Sequence, residues 1–433
     1  MSSKTYSVDE VFGIARDVPL NYVARASVDE KLIDSLSRTK HLVIHGGSKQ
    51  GKTCLRKHCL SDNDYVVVQC SNKWSVEDLN ENILKRAGFH VTQSTEKTLS
   101  GRNKLDAKIA GNFLGFGASA GTADETGQSV TTSSAPLQVD PGDVNDLISA
   151  LQSVNFDRYI VLEDFHYLSP ETQSDVAIEL KAIHEASNFC VVVVGVWLEE
   201  NRLIVYNGDL TGRIIPINAD RWTRTELFQV IEEGQSLLNI RLSKDFQEAL
   251  VGGCFDSVAI VQECCRRACR QAEVFETKVH MCDVEFSGEV SKLIKDVVNE
   301  SSARYQAFLT NFADGFQDTR LEMYRWLLFP ILVSNVRDLE DGILYADIRR
   351  VLQTYHPNGK DLNPGNITQA LKSATSLQVY KGIKPIVLDY DATTRRLSVV
   401  DRGFLIWLAN QDVLDVLEMA GLPTGLEHPM LTS

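Results

Sequence analysis

Eight consecutive residues have the spacing G-x-x-x-x-G-K-T: Gly46, Gly47, Ser48, Lys49, Gln50, Gly51, Lys52 and Thr53. An apolar run at 41–45 precedes them, and a helical pattern at 54–60 follows them. Glycines at this spacing let consecutive main-chain N–H groups face a phosphate, and the following helix N-terminus adds partial positive charge. The spacing and its context therefore predict a phosphate-binding loop between a strand and a helix. A glycine turn without this function would not need Lys-Thr at these positions.

Individual side chains of this loop are predicted to contact different parts of a bound nucleotide. Lys52 should reach the β- and γ-phosphates, and the Thr53 hydroxyl should ligate Mg²⁺. Cys54, at the start of the following helix, joins residues 46–53 in the predicted nucleotide-binding set. The guanine-reading motif N-K-x-D is not evident after the fourth predicted strand, which favours ATP by elimination.

A phosphoryl-transfer site also needs acidic groups that orient the shell of Mg²⁺ and polarise the attacking water. The apolar run at 158–162 ends in two carboxylates, Glu163 and Asp164. We predict that Glu163 faces the metal-bound water as a metal-site residue and that Asp164 is the base. The usual order of Asp before Glu is reversed here, so the division of roles stays open, and solvated acids at a strand end are the alternative. His166 is interpreted as a packing or supporting residue rather than a catalytic one.

The elements that would position these residues alternate between strands and helices. Strands are predicted at 41–46, 64–70, 158–163, 189–196 and 214–217, and helices at 51–60, 75–87, 142–153 and 171–187. The middle strands are nearly continuous apolar runs, as expected for strands buried on both faces of a parallel sheet. The pattern predicts a three-layer α/β core with a parallel sheet over residues 1–218.

One stretch, residues 106–140, interrupts this alternation and is rich in Gly, Ala, Ser and Thr. A structureless segment of this length is unusual inside a compact domain. We expect either a flexible linker or a β-hairpin insertion with Phe113, Leu114 and Phe116 at its tip, which would touch a partner or line a pore.

The rest of the chain is interpreted as two further domains. Residues 219–315 have helical patterns, including one at Cys282–Val298, and are expected to form an all-α lid with linker helices. Residues 316–433 have the layout of a winged helix: a helix is predicted at Asn366–Gln378, with Asn366 as its N-cap, and strands at Ile386–Asp389 and Arg396–Asp401. Five side chains of that helix could reach bases or phosphates: Thr368, Gln369, Lys372, Ser373 and Ser376. Aspartates offset the basic residues of this domain, so contact with protein and contact with DNA both stay open.

Composition limits the remaining classes of function. The 433 residues carry a net charge of −14, which argues against nonspecific nucleic-acid binding as the main activity. No apolar stretch approaches the length of a membrane span, and residues 1–6 contain no hydrophobic signal region. The nine cysteines lack metal-ligand spacing, so we expect reduced thiols in a cytoplasmic protein, with Cys264, Cys265 and Cys269 as packing residues.

The chain resembles the AAA+ and STAND-type P-loop ATPases, nearer to their origin-recognition and transposition branches than to unfolding machines. The loop 46–53, the acidic strand end 162–167 and the lead-in at 22–25 carry the resemblance. In this class the lead-in packs near the adenine, so the resemblance implies nucleotide contacts by Tyr22, Val23 and Arg25. It also implies an arginine finger at Arg213, which would reach the γ-phosphate of a neighbouring subunit. A surface arginine at the end of a loop is the alternative.

Two departures from the family pattern bear on the activity. The fourth predicted strand, at 191–197, lacks the polar residue that usually senses the γ-phosphate. The lid helix that begins at 253–258 has no arginine at the sensor position, since Arg266 and Arg267 lie further along it. Both gaps suit slow hydrolysis in a switch or assembly ATPase better than a motor.

Three functions follow as hypotheses. The leading one is an ATP-dependent switch that binds Mg²⁺, forms a homo-oligomer through Arg213 and engages an effector protein. Bacterial ATPases with these features often act in anti-phage defence, so the resemblance alone implies such a role here. The alternatives are a DNA-binding regulator or loader that uses the winged helix, and a nucleotide-binding scaffold with little turnover.

Overall fold

The computed structural model describes residues 4–13, 17–36, 39–97, 103–109, 137–220, 222–317, 319–359 and 362–425. The strands are β1 (His41–His45), β2 (Tyr65–Gln69), β3 (Phe89–Lys97), β4 (Asn103–Ile109), β5 (Leu137–Val139), β6 (Tyr159–Glu163), β7 (Val191–Val194), β8 (Ile214–Asn218), β9 (Ile240–Leu242), β10 (Cys282–Val284), β11 (Ile343–Leu344), β12 (Leu388–Asp391) and β13 (Arg396–Val399). The α-helices are α1 (Val8–Phe12), α2 (Lys31–Leu36), α3 (Lys52–Cys59), α4 (Val76–Arg86), α5 (Val144–Ser153), α6 (Pro170–Ala186), α7 (Arg202–Tyr206), α8 (Arg224–Leu238), α9 (Lys244–Gly253), α10 (Val258–Gln271), α11 (Val290–Asn299), α12 (Ser302–Ala313), α13 (Met323–Leu332), α14 (Tyr345–Tyr355), α15 (Pro364–Lys372), α16 (Ala374–Tyr380), α17 (Arg402–Leu408) and α18 (Val413–Met419).

A five-stranded parallel sheet forms the centre of the N-terminal part, in the order β2-β6-β7-β1-β8. Alternate residues of its strands enter two separate hydrophobic clusters. Val43 packs with residues of α4, α5 and α6 on one face, whereas Leu42 and Ile44 pack with residues of α2 and α3 on the other. Strands buried on both faces explain the continuous apolar runs of the sequence. The predicted three-layer α/β core is therefore confirmed.

A small antiparallel sheet, in the order β3-β4-β5, follows α4. Of the segment 106–140, residues 106–109 belong to β4 and residues 137–139 to β5, so its described ends are paired antiparallel strands, as in the β-hairpin alternative, rather than flexible linker. Register pairs such as Ala107 with Leu137 join the two strands. The proposed tip residues Phe113, Leu114 and Phe116 lie outside the described residues.

The helices α8–α11 form a second layer, together with the short parallel pair of β9 and β10. The predicted helix at Cys282–Val298 was wrong: residues 282–284 pair with Ile240–Leu242, and the helix begins only at Val290. Gly288, at a φ of 148°, lies between the strand and the helix and marks the break. Cys264, Cys265 and Cys269 are fully buried on α10 as free thiols, in agreement with their interpretation as packing residues.

We call the elements α13–α18 with β11–β13 the C-terminal module. Its three strands form an antiparallel sheet in the order β11-β13-β12. The predicted helix at Asn366–Gln378 is two helices, α15 and α16, which meet at Ser373. Asn366 was wrongly assigned as the N-cap, since the Asn363 side chain accepts the N–H of Gly365 and Pro364 is the first helical residue. The strands also differ from those predicted, because β12 begins at Leu388 and β13 ends at Val399.

One hydrophobic cluster runs from α1 through α8–α12 into the C-terminal module and reaches Leu422. The contact between this module and the parallel sheet is smaller. Val196, which follows β7, packs there against Val379, Ile386 and Val400. The buried pair of Arg202 and Asp389, 2.9 Å apart, lies in the same contact. Among the described residues, no helix is both long and apolar enough to cross a membrane.

Candidate functional site

The glycine-rich loop connects β1 to α3 and has the backbone conformation that its glycines permit. Gly46 has a φ of 144°, and Gly51, the residue before α3, has a φ of 83°. A Cβ atom at Gly46 would lie 2.7 Å from the main-chain nitrogen of Asp220, too close for any side chain. Lys49 also has a positive φ, 60°. The loop is thus tightly curled, as a phosphate cradle requires.

Lys52 is directed back over this loop. Its Nζ donates to the carbonyl oxygens of Gly46, at 3.1 Å, and Gly47, at 2.6 Å. Burial lowers the pKa of Lys52 to about 8, because only neutral carbonyls contact the ammonium and nearby carboxylates compensate incompletely. No carboxylate of the described residues forms an ion pair with this buried ammonium, so it is well suited to bind a phosphate oxygen.

Thr53, at the start of α3, contacts Glu163, at the end of β6, although 110 positions separate them in the chain. The Thr53 hydroxyl donates to Glu163 Oε1 at 2.8 Å, and Arg56 Nε lies 3.2 Å from Glu163 Oε2. Hydroxyl and carboxylate oxygens are the ligands that Mg²⁺ prefers, so these residues fit the predicted ion. No group of three or more His, Cys, Asp or Glu side chains in the described ranges could hold a metal by itself. The ion would therefore depend on phosphate and water oxygens as well.

Asp164 follows β6 directly and lines the same cavity as Lys52 and Thr53. Its φ of 58° lies in the left-handed region, so the backbone leaves the strand direction at this residue. Burial and the neighbouring Glu163 raise the pKa of Asp164. A carboxylate with a raised pKa beside the loop has the character of a general base.

The cavity has a volume of about 350 Å³ and extends from this acidic pair to an apolar end. Residues 48–54 line the first end; the second is lined by Tyr22, Val23, Val230, Val258, Ala259 and Gln262. The Tyr22 ring stacks on His58, with centroids 4.4 Å apart, and its hydroxyl donates to Asp29. Tyr22 and Val23, which were predicted to contact the nucleotide, therefore line the same cavity as the glycine-rich loop.

Arg25, predicted with them, is not among the side chains that line the cavity. It is 2% exposed, and its guanidinium lies 4.1 Å from the centroid of the Trp222 ring. Its Nη1 donates to the carbonyl of Ala219 at 3.4 Å. Arg25 thus packs behind the site and supports it, because Trp222 itself lines the cavity.

Arg213 lies at the N-terminal ends of the parallel strands, whereas the glycine-rich loop lies at their C-terminal ends. It precedes β8, whose Ile214 pairs with His41 at the start of β1, whereas the loop follows the end of β1. Five strand residues span roughly 16 Å, so Arg213 is remote from the cavity of its own chain. Its guanidinium bonds Glu185 at 2.8 Å and the carbonyl of Asp209.

The C-terminal module contacts the glycine-rich loop through residues that sequence reasoning missed. Gly47 N donates to Asp220 Oδ1 at 2.6 Å, and Arg402 Nη2 donates to Asp220 Oδ2 at 2.8 Å. Ser48 N donates to the carbonyl of Val400 at 2.7 Å. The Lys384 ammonium lies 4.1 Å from the centroid of the Tyr167 ring, and Tyr167 lines the cavity. No motif in the sequence marks these contacts, because their partners are 173 to 352 positions apart.

A second cleft of about 630 Å³ separates the module from the sheet. Four of the five candidate base-reading residues line it: Gln369, Lys372, Ser373 and Ser376. The opposite wall includes Glu171, Glu199 and Arg202 of the N-terminal part. In this arrangement the candidate DNA-reading face is therefore turned toward the protein itself.

No protein-family model matches the chain, and no curated protein matches it in sequence. Solved structures do match. A Walker-type ATPase of Pyrococcus abyssi is 11% identical with a TM-score of 0.50, over 92% of this chain and 99% of that one. The Aeropyrum pernix ORC2 protein, solved in ADPNP–ADP complexes, is 12% identical over 94% and 97%, with a TM-score of 0.46. The ORC1 protein of the same organism, solved with DNA, is 12% identical over 96% and 100%, with a TM-score of 0.45.

The similarity to the Pyrococcus abyssi protein concerns the fold alone. The chain has a parallel-sheet α/β fold of the P-loop NTPase class. The predicted α/β class is confirmed at this level.

Proposed function

We propose that this chain is an ATP-binding and ATP-hydrolysing molecular switch. The observation that carries the proposal is the hydrogen bond of 2.8 Å between Thr53 and Glu163. It joins the glycine-rich loop to the acidic strand end, so the two halves of a phosphoryl-transfer site adjoin one cavity. The apolar end of the cavity accommodates the base, beside Tyr22 and Val23.

The roles of the residues follow from their positions. The main-chain N–H groups at 51–53 hold the phosphates, and Lys52 exchanges its carbonyl partners for phosphate oxygens. Thr53 and Glu163 hold Mg²⁺, which neutralises phosphate charge when bound. Asp164 orients the attacking water and accepts its proton, since it is the second carboxylate at the cavity and its pKa is raised.

The switch character rests on the contact between the loop and the C-terminal module. Ser48 bonds Val400 through its main chain, while the next residues of the same loop line the cavity. A bound nucleotide and the module would thus both contact the glycine-rich loop. Occupancy of the cavity would therefore change how the module packs on the loop. We propose the division 1–218, 219–315 and 316–433, with a winged-helix-like third domain that presents itself to a partner.

Assembly through Arg213 is the second part of the proposal. Its distance from the cavity of its own chain leaves a neighbouring subunit as the site that it can complete. Release from Glu185 would be required first. STAND-type behaviour, an effector protein and a role in anti-phage defence come from the resemblance alone, and the genes beside this one would test them.

Comparison of ATP hydrolysis by the wild-type chain and by Lys52→Ala tests the central claim. We expect slow phosphate release in the wild type and none above background in Lys52→Ala. Lys57→Ala, on the same helix α3 but outside the cavity lining, is the matched control and should hydrolyse at the wild-type rate. Equal rates in all three proteins, or no binding of ATP at all, would sink the proposal.

The DNA-binding alternative has weaker support. The net charge is −14, and four of the candidate base-reading residues face the cleft beside the sheet. DNA binding would require the module to leave that cleft. DNA affinity that falls steeply with salt would favour this alternative, and affinity near zero would eliminate it.

A further inference from the structure

The γ-phosphate end of the cavity lacks a polar side chain from the strand that is expected to supply one. β7 consists of four valines, and Gly195 and Val196 continue it along the cavity. Lys52 of the glycine-rich loop and Asp164 line the end of the cavity where we expect a terminal phosphate. Something else must recognise that phosphate if ATP and ADP are to be distinguished.

His166 follows Asp164 by two residues, lines both this cavity and the second cleft, and is only 2% exposed. The short 3₁₀ turn Phe165–Tyr167, which follows Asp164, places its ring in the cavity wall. Phe165 is buried against Trp197, and the His166 ring packs on Tyr167 with centroids 4.1 Å apart. The imidazole is therefore held in a fixed position.

One hydrogen bond determines which ring nitrogen carries the proton. Val196 N lies 3.2 Å from His166 Nδ1. A main-chain N–H can only donate, so Nδ1 accepts and carries no proton. The neutral ring then has its proton on Nε2. Burial and the nearby cations of Lys52, Arg202 and Lys384 lower the pKa of His166 well below its usual value, which agrees with a neutral ring.

Nε2 has no hydrogen-bond partner within the described part of the chain, although it is buried. A buried donor without an acceptor is unfavourable and rare in folded proteins, so it calls for an explanation. A ligand oxygen in the adjoining cavity would satisfy it.

We propose that His166 donates a hydrogen bond from Nε2 to the terminal phosphate of bound ATP and so replaces the polar side chain missing from β7. The proposal rests on the proposed function and names one further ligand-contacting residue of that site. Because the ring is neutral, it adds no general attraction for anions. Its effect falls on the γ-phosphate and hence on the preference for ATP over ADP.

Two variants separate this role from a structural one. Both His166→Gln and His166→Leu remove the Nδ1 acceptor of Val196, but only glutamine keeps an N–H donor near the position of Nε2. Equilibrium titrations with a nonhydrolysable ATP analogue and with ADP give the affinity ratio for each protein. We expect the ratio to fall about 10- to 100-fold in His166→Leu, the range for one bond to a charged acceptor, and to recover most of that loss in His166→Gln.

The outcomes distinguish this inference from the proposed function. If the wild type binds neither nucleotide, both fail. If the wild type prefers the ATP analogue and His166→Leu keeps the preference, or if both variants lose it equally, the His166 assignment fails and the ATPase proposal stands.

A measurement on the wild type does not depend on the folding of any variant. In histidine-selective ¹⁵N NMR, the Nε2–H signal of His166 should shift with the ATP analogue and remain near its free position with ADP. The same shift with both nucleotides would overturn the assignment.

Discussion

Arg402 and Asp220 form an ion pair in which Nη2 lies 2.8 Å from Oδ2, and their side chains are only 3% and 6% exposed. The other carboxylate oxygen, Oδ1, accepts the N–H of Gly47 at 2.6 Å. One carboxylate therefore connects the C-terminal module to the glycine-rich loop. Together with the main-chain bond from Ser48 to Val400, this carboxylate couples the position of the loop to that of the module.

Replacement of Arg402 by methionine should destabilise the protein strongly. The change leaves the buried charge of Asp220 with one neutral donor, and loss of one partner from a buried pair typically lowers the free energy of unfolding by about 3–5 kcal/mol. Urea unfolding measures this loss. Arg350→Met is the matched control, since the pair of Arg350 and Asp347 is 75% and 42% exposed and should contribute less than about 1 kcal/mol. Equal effects of the two substitutions would show that the Arg402 contact does not hold in solution.

Asp164→Asn should abolish most hydrolysis without loss of ATP binding. Asparagine tolerates the positive φ of this position, so the backbone is retained and only the charge is removed. Loss of a general base lowers the rate by about 10²- to 10⁴-fold. Single-turnover phosphate release and an equilibrium titration measure the two quantities. The exposed Asp157, just before β6, supplies the control Asp157→Asn, and a rate loss shared by both variants would contradict the assignment.

Arg213→Ala should inactivate hydrolysis only through the assembly. The Arg213→Ala variant keeps an intact nucleotide site, whereas Lys52→Ala has a defective nucleotide site but keeps Arg213. A mixture of the two inactive proteins should therefore regain activity, because a Lys52→Ala subunit can complete the site of an Arg213→Ala neighbour. Phosphate release is measured as a function of the mixing ratio. Gel filtration in the presence of a nonhydrolysable ATP analogue is carried out in parallel. Absence of activity at every ratio, with unchanged elution volumes, would argue for a monomer.

Glu199→Gln should stabilise the protein at neutral pH and have little effect in acid. Burial, with the nearby carboxylates Asp391 and Asp389, raises the pKa of Glu199 from 4.5 to about 7. The hydrogen bond from Thr393 lowers this pKa but does not offset the rise. The folded chain then binds the proton more tightly than the unfolded chain. Stability consequently falls as pH rises from about 4.5 to about 7, and glutamine removes this loss.

Thermal melts between pH 4.5 and 8 measure the difference between Glu199→Gln and the wild type. The difference should be smallest at pH 4.5 and reach its maximum above pH 7. Glu200→Gln, at the exposed next position, should show no such trend. A difference that does not change with pH would mean that folding leaves the pKa of Glu199 unchanged.

Local patterns predicted the parallel sheet and the loop well, because both depend on short-range features. Buried strands such as β1 and β7 require uninterrupted apolar residues, and the phosphate cradle requires glycines at Gly46 and Gly51. The start of α15 could also have been read from the sequence, since Asn363-Pro364 is a stronger start signal than Asn366.

Contacts between distant segments could not be predicted in this way. Nothing local to Val400 or Arg402 indicates that they reach the glycine-rich loop, since that contact depends on how the module packs on the sheet. The same holds for His166, whose free donor is revealed only by its bond with Val196. For such residues the sequence supplies the chemistry but not the partner.

The hydrophobic cluster shared by the helices α8–α12 and the C-terminal module has a mechanical consequence. These two parts cannot separate without exposing apolar side chains such as Phe308, Phe404 and Trp407 to water. Their boundary with the parallel sheet is held instead by a few ion pairs and a four-residue patch. Displacement along this boundary exposes less apolar surface than separation of the helices from the module, so we expect any hinge motion to occur there.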